Sequence, residues 1–384
     1  IKVYGYGGIS PQLNSDFRYG DLVENNIFFR GEEDGNLDAD DYILFYGEGP
    51  DNITEHSNGE LIHKKNPYDS KSYYYITAGN EAGKRITYAT NDVTYPSTLS
   101  NLPYLVFHEK EDYNLVSSGR QWVGESFKFK AERSFDFNLT DIFIDSTVSY
   151  TIRYIGGSLD YITNFKTYIN NDFVGKADLS TINYTYGNKG ILDYAIGDYK
   201  LESSYFNVYS VFDNSGDGSA IGHLDYIRLN YQREVKGDKS TVFTVLSSYR
   251  NSNLNISNIS SNTLIWDVSR VDDIKGVSPV GNLIGLDSDI SKLLILNKND
   301  YKTPLYIGTV SNQNLHQMDV PTLIIVTHKS LMESALSFAE FKNNVQNIET
   351  KVVDIDQIYN EYSSGSKDVS CLLYTSPSPR DKRQ

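Results

Sequence analysis

From the first residue to about position 250 the chain alternates apolar and polar positions with a period of two. In TVSYTIRYIG, Val148, Tyr150, Ile152 and Tyr154 fall on one side, and Ser149, Thr151 and Arg153 on the other. SFKFKAERSFDFNL alternates through Phe127, Phe129, Phe135 and Phe137, and DYIRLNYQ sets Ile227, Leu229 and Tyr231 against Arg228 and Asn230. A period of two predicts strands with one buried face. Turn signals between the runs (GG at 156–157, INND, DNSGDG) make the strands antiparallel and the fold a jelly-roll-like β-sandwich. The runs TVFTVL, NTLIWDVS, KLLILN and PLYIGTV continue the β pattern between residues 236 and 318.

The pattern changes after Pro321. LIIVTH is continuously apolar, as a strand buried on both faces is. SLMESALSFAEFKNN follows, with Ser330 and Glu333 at capping-box spacing and Leu331, Ala335, Phe338 and Ala339 at helical spacing. KVVDI (351–355) predicts a second buried strand. Strand, helix and strand make a βαβ unit, the beginning of a parallel sheet. The expected organisation is an N-terminal β region (1–100), a β-sandwich (101–235) and a β-rich connecting region (236–318). The start of an α/β domain (319–370) and a tail (371–384) follow. The fold class is mainly β, and the parallel sheet reads as begun and then cut off.

Composition narrows the function. The 384 residues carry a formal charge of −15, which repels phosphate backbones and argues against nucleic acid as a partner. Nothing approaches the ~18 consecutive apolar residues of a membrane span. One cysteine excludes a disulfide framework, and the six histidines show no zinc spacing. The 31 tyrosines fit β structure, and carbohydrate-stacking platforms are the sharper reading of the same residues. The absence of an initiator Met at Ile1 fits removal of a targeting segment or an internal start.

Candidate chemistry is sparse. GEEDGNLDADD holds six acids between Glu32 and Asp41. With Gly35 as the turn glycine, Glu32, Asp34, Asp38 and Asp41 stand near calcium-ligand positions, but Arg30 occupies the leading one. Asp34, Asp38 and Asp41 are therefore the candidate calcium ligands, and no other cofactor is expected. The second acidic loop, Asp213, Ser215 and Asp217 before Gly218, has Leu224 where a closing Glu is needed. His328 follows a predicted strand, where turn capping competes with a site role. Arg120 and Trp122, with Glu125 nearby, read as a guanidinium–indole clamp. Cys371 opens CLLYTSPSPRDKRQ, which breaks from the preceding composition and reads as foreign sequence joined to an interrupted gene. No helix N-terminus or positioned histidine is visible to hold its thiolate.

LIIVTHKSLMESALSFAEF and QIYNEYSSGSKDVS resemble the opening of the gingipain-type, caspase-like cysteine peptidase domain. In order and spacing, GDLVENNIFFRGEEDGNLDADDYILFYGEGP, NLVSSGRQWVGESF, GHLDYIRLNYQRE, LIWDVS and GTVSNQNLH resemble the PorU-type sortases of the type IX secretion system of Bacteroidota. The resemblance covers nearly the whole chain to about Ser370. It implies a cell-surface peptidase, at the exterior of a Gram-negative outer membrane after export. Such an enzyme removes C-terminal sorting domains from secreted cargo and passes the acyl group to surface lipopolysaccharide. Its implied partners are cargo proteins and other secretion components. Its catalytic His and Cys lie beyond the matching stretch, so none is assigned here and the chain itself is expected to be inactive. The competing expectation is a surface adhesin or glycan-binding module, which needs no parallel strand.

Overall fold

The computed structural model describes residues 1–7, 21–115, 121–143, 146–183, 189–369 and 371. Eight strands form the sandwich: β1 Asn101–Glu109, β2 Glu132–Asn138, β3 Thr147–Gly157 and β4 Thr163–Ile169, then β5 Asp172–Leu179, β6 Ile191–Lys200, β7 Tyr205–Asp213 and β8 Ile221–Glu234. They lie in two antiparallel sheets ordered β1-β8-β3-β6 and β2-β7-β4-β5. First pairs with last, second with seventh, third with sixth and fourth with fifth. That pairing is a jelly roll, the doubled-back sheet pair the alternation predicts.

The alternation does what the sequence requires of it. Val148, Tyr150, Ile152, Tyr154, Ile227, Leu229 and Tyr231 point inward against Phe165, Phe206 and Val208 of the facing sheet. Each fully buried apolar side chain contributes roughly 1.5–3 kcal/mol. Tyr154 stacks on Phe165 at 4.1 Å, and its hydroxyl bonds Thr167 Oγ1 at 2.9 Å and Ser210 Oγ at 2.6 Å, so its polar end is satisfied in the core.

Three strand and turn expectations are corrected. Gly156 and Gly157 do not turn; they close β3, and a Cβ on Gly156 would stand 2.2 Å from the Ile221 carbonyl oxygen. Phe129 leaves the alternation, because β2 begins only at Glu132 and the ring is 96% exposed beside the buried Phe127. PLYIGTV forms no strand: residues 301–314 carry no regular structure, and Leu305, Tyr306 and Ile307 face solvent.

Segments on either side of the sandwich join each other. The sheet of Thr241–Thr244, Lys292–Asn297, Thr263–Asp267 and Lys275–Val277 is completed in parallel by Tyr88–Ala89, and Thr98–Leu99 pairs in parallel with Ser252–Asn255. Trp266 Nε1 donates to Tyr88 Oη at 2.8 Å across this joint. The hairpin Asn52–Glu55/Leu61–Lys64 covers the outer side of β1 and β8, where Leu61, Leu105 and Leu246 cluster.

The C-terminal unit contains β9 (Leu323–Thr327), α1 (Met332–Gln346), β10 (Thr350–Asp354) and α2 (Ile355–Tyr362). β9 and β10 pair in parallel from Leu323↔Thr350 to Thr327↔Asp354, as the βαβ reading requires. The capping box at Ser330 and Glu333 does not form. A 3-10 turn at Lys329–Leu331 precedes α1, and the His328 ring caps it by accepting from Ser330 N at 3.2 Å. Nor is β9 buried on both faces, since Val326 is 41% exposed. Two strands offer α1 only a narrow face; Ala335 and Ala339 fill it, and Leu331 and Phe338 are left in water. α2, an element the sequence reading did not assign, has a complete capping box from Asp354 and Gln357. No helix among the described residues is long and apolar enough to cross a membrane.

Candidate functional site

In parallel sheets, sites form at the carboxyl ends of strands. Here those ends carry His328 after β9 and Asp354 at the end of β10. Both side chains are engaged locally. His328 Nδ1 lies 2.9 Å from Ser330 Oγ, and Asp354 accepts from Asp356 N at 3.0 Å. The His328–Ser330 contact joins residues two apart in one turn, and among the described residues no carboxylate orients the ring. It is a cap, not an activated nucleophile pair.

The unit is held from below. Glu361, almost fully buried, accepts from Leu315 N at 2.8 Å, Gln313 Nε2 at 2.8 Å and His316 Nδ1 at 2.9 Å. The Ser363–Asp368 loop docks on the N-terminal region. Ser364 Oγ accepts from Tyr6 N at 3.2 Å and donates to Tyr73 O at 3.0 Å, Ser366 Oγ donates to Lys71 O at 3.2 Å, and Tyr75 Oη donates to Asn360 Oδ1 at 2.7 Å. Cys371 is 2% exposed, clustered with Val353 and Ile358, with its Sγ 3.5 Å from Tyr362 O. The thiol fills a small core with Val353 and Ile358 and turns its Sγ toward a backbone carbonyl instead of a cleft.

The candidate calcium residues do not converge. Asp34 accepts from Asn36 N at 2.9 Å, Asp41 accepts from Asp38 N at 2.8 Å, and Glu32 pairs with Arg85. Among the described residues no group of three His, Cys, Asp or Glu side chains is placed to hold a metal ion. In the second acidic loop, Asp217 accepts from Ser219 N at 2.7 Å and from Ser158 Oγ, closing a turn. Arg120 lies outside the described residues. Glu125 is instead bonded to His108 at 2.9 Å and Lys110 at 2.9 Å.

Sequence reasoning missed a polar cavity of about 220 Å³ between the hairpin at 52–64 and the outer face of β8 and β3. His63, Lys65, Glu109, Glu111, Arg153 and Arg228 line it. Arg228 Nε donates to His63 Nδ1 at 3.1 Å, which leaves Nε2–H to donate to Glu109 at 2.6 Å. Burial, aided by Arg228, pushes the His63 pKa down to about 3. Burial and the neighbouring Glu109 push Glu111 up to about 8, so this carboxyl keeps its proton at neutral pH. Arg153 pairs with Asp225 behind them. The one signal in the sequence was the charge on the polar face of DYIRLNYQ. Its partners come from three other segments, which spacing along the chain does not reveal.

A jelly roll continuing into a parallel α/β unit defines the class by fold: a mainly β chain whose C-terminal end enters a parallel α/β unit. Residues 316–373 match the family model of Peptidase family C25. Over 97% of its length the chain superposes on dimeric latent PorU from Porphyromonas gingivalis, with a TM-score of 0.82 and 19% identity. The gingipain resemblance read from the sequence is thus borne out, and the fold is that of a PorU-type, gingipain-like fragment. The chain spans 36% of that PorU chain. The CBM36-1 domain of a multidomain xylanase from the hindgut metagenome of Trinervitermes trinervoides matches 33% of this chain, and the chain spans 95% of that domain, at 12% identity and a TM-score of 0.21. A carbohydrate-binding module CBM36 in complex with calcium and xylotriose matches 32%, spanned to 98%, at 14% identity and the same TM-score. Neither likeness is close enough to bear on the fold. No curated protein matches the chain.

Proposed function

We propose that this chain is the N-terminal, non-catalytic part of a C25 cysteine peptidase of the sortase type. The β region serves as the platform on which the peptidase domain begins. The intact enzyme works at the outer surface of a Gram-negative cell, removes C-terminal sorting domains from exported cargo and transfers the cargo to an amine of surface lipopolysaccharide. In that chemistry a thiolate attacks the scissile amide, a histidine returns the proton to the leaving amine, and the acceptor amine then resolves the acyl-enzyme. The observation that carries the reading is the parallel β9–α1–β10 unit lying inside the C25-matching segment, followed by α2 and a loop bonded to residues 69–75. An adhesin needs no such unit.

The test is the longer reading frame. Expressed beyond residue 371, it is expected to supply further parallel strands with a Cys and a His at strand ends. That protein should cleave a cargo bearing a sorting domain, join the product to an added amine, and be stopped by thiol alkylation. A longer frame without such strands, or cleavage indifferent to alkylation, overturns the proposal.

A further inference from the structure

Among the described residues no strand or helix covers the outer face of the β2-β7-β4-β5 sheet, whereas the hairpin at 52–64 lies over the other sheet. Phe165, Ile169, Phe206 and Val208 turn inward, so the alternate positions lie on the outer face, half-buried at Tyr168, Asn207 and Tyr209. Across that face runs one row of cross-strand neighbours: Ser134, Tyr209, Tyr168 and Phe173. Ring centroids stand 5.8 Å apart from Tyr209 to Tyr168 and 5.5 Å from Tyr168 to Phe173. The register slips between Thr167 and Tyr168, a bulge that re-aims the end of the row and leaves Phe173 59% exposed.

Polar groups of fixed direction flank the rings. Tyr209 Oη donates to Glu132 at 2.6 Å, and Tyr205 Oη donates to Asp136 at 2.6 Å. Asn207 Nδ2 bonds both Asp136 at 2.7 Å and Ser134 Oγ at 2.6 Å. Each carboxylate therefore keeps lone pairs for further donors while its orientation is set.

Cross-strand aromatic pairs alone stabilise a sheet by roughly 0.2–1 kcal/mol, and two rings suffice for that. Three rings in line, their planes turned by 49° and 63° from one to the next, the last lifted into solvent and the first bordered by oriented acceptors, exceed what pairing needs. We propose that this face binds a neutral oligosaccharide, with pyranose rings stacked along Tyr209, Tyr168 and Phe173 and hydroxyls donating to Glu132 and Asp136. Apolar ring faces and many hydroxyl donors are the chemistry that matches aromatic planes beside acceptors. The acids disfavour uronates and phosphorylated glycans, because the cross-strand pair of cations on this face, Lys166 and Lys176, is already matched to Asp213 at 3.4 Å and Asp178 at 2.7 Å. The proposal stands independently of the peptidase reading.

The test is calorimetric titration of the full chain with xylo-, cello-, manno- and galacto-pentaose, with polygalacturonate as the anionic arm. Binding of at least one neutral pentaose is expected, weakened about tenfold or more by Phe173→Ala and by Tyr209→Ala. Phe129→Ala, which removes an exposed ring elsewhere, should leave it unchanged. Should Tyr209→Ala unfold, Phe173→Ala on edge strand β5 reads the same surface. No binding by any neutral pentaose, binding untouched by Phe173→Ala, or binding of polygalacturonate alone overturns the proposal. So does conversion of a dimer to a monomer by Phe173→Ala, which would make a second copy of the chain the occupant.

Discussion

His63 and Glu111 line the same cavity and are pushed in opposite directions by burial. The unfolded chain takes up a proton on His63 near its usual 6.5, whereas the folded chain refuses it down to about 3. Stability from this group is complete above that usual value and is lost as the pH falls toward 3. Glu111 works the other way. The folded chain keeps a proton up to about pH 8 that the unfolded chain releases near 4.5, so stability falls as the pH rises through that window. Glu111→Gln is accordingly expected to melt higher than the parent above about pH 8 and to converge with it below about pH 5, in thermal melts followed by circular dichroism. A constant difference across the range would contradict the buried-proton account. Residue roles were the least legible part of the sequence. Cys371 read as a foreign thiol and is packed against Val353 and Ile358; His328 read as a site or a cap and is a cap. The packing of Cys371 depends on Val353 and Ile358, well separated from it along the chain, whereas the cap at His328 uses Ser330, which the sequence offered instead as a capping box with Glu333.

At the scale of elements, the loop after α2 is held by a backbone only glycine adopts easily. Gly365 has φ of 83°, and an added Cβ would stand 2.7 Å from Tyr75 Oη and 3.0 Å from Tyr73 Cβ. The left-handed backbone alone costs an alanine about 1–2 kcal/mol. Gly365→Ala should therefore speed hydrogen exchange through residues 355–371 while leaving β1–β8 protected; unchanged exchange would show that this joint does not matter. Strands with one covered face were readable, because alternation at Val148–Tyr154 and Ile227–Tyr231 records the core directly. PLYIGTV misled because an apolar run marks strand propensity and not the presence of a partner strand. α2 was missed because its eight residues are too short for periodicity to stand out, although Asp354 and Gln357 already spelled its start.

For the whole molecule, the sandwich core and the core of the neighbouring sheets are large clusters that meet at Tyr104, whereas the C-terminal unit rests on a two-stranded sheet with α1 half uncovered. Regions with few buried contacts open first. Trypsin should therefore cut first between Lys302 and Lys367 and leave a resistant product containing β1–β8; a first cut inside the sandwich would contradict the packing described. The fold class was legible because period-two strands give way abruptly to a βαβ pattern after Pro321. The joining of residues 88–99 to the sheets of 241–297 was not, since strands of two residues leave no periodic trace.

The most direct measurement is turnover by the 384-residue chain itself, using peptides that span a sorting-domain junction, with and without an added amine. The account predicts no cleavage and no transfer, and no difference between the parent and Cys371→Ala. Cleavage that disappears in Cys371→Ala would place an active site inside this chain and contradict the account.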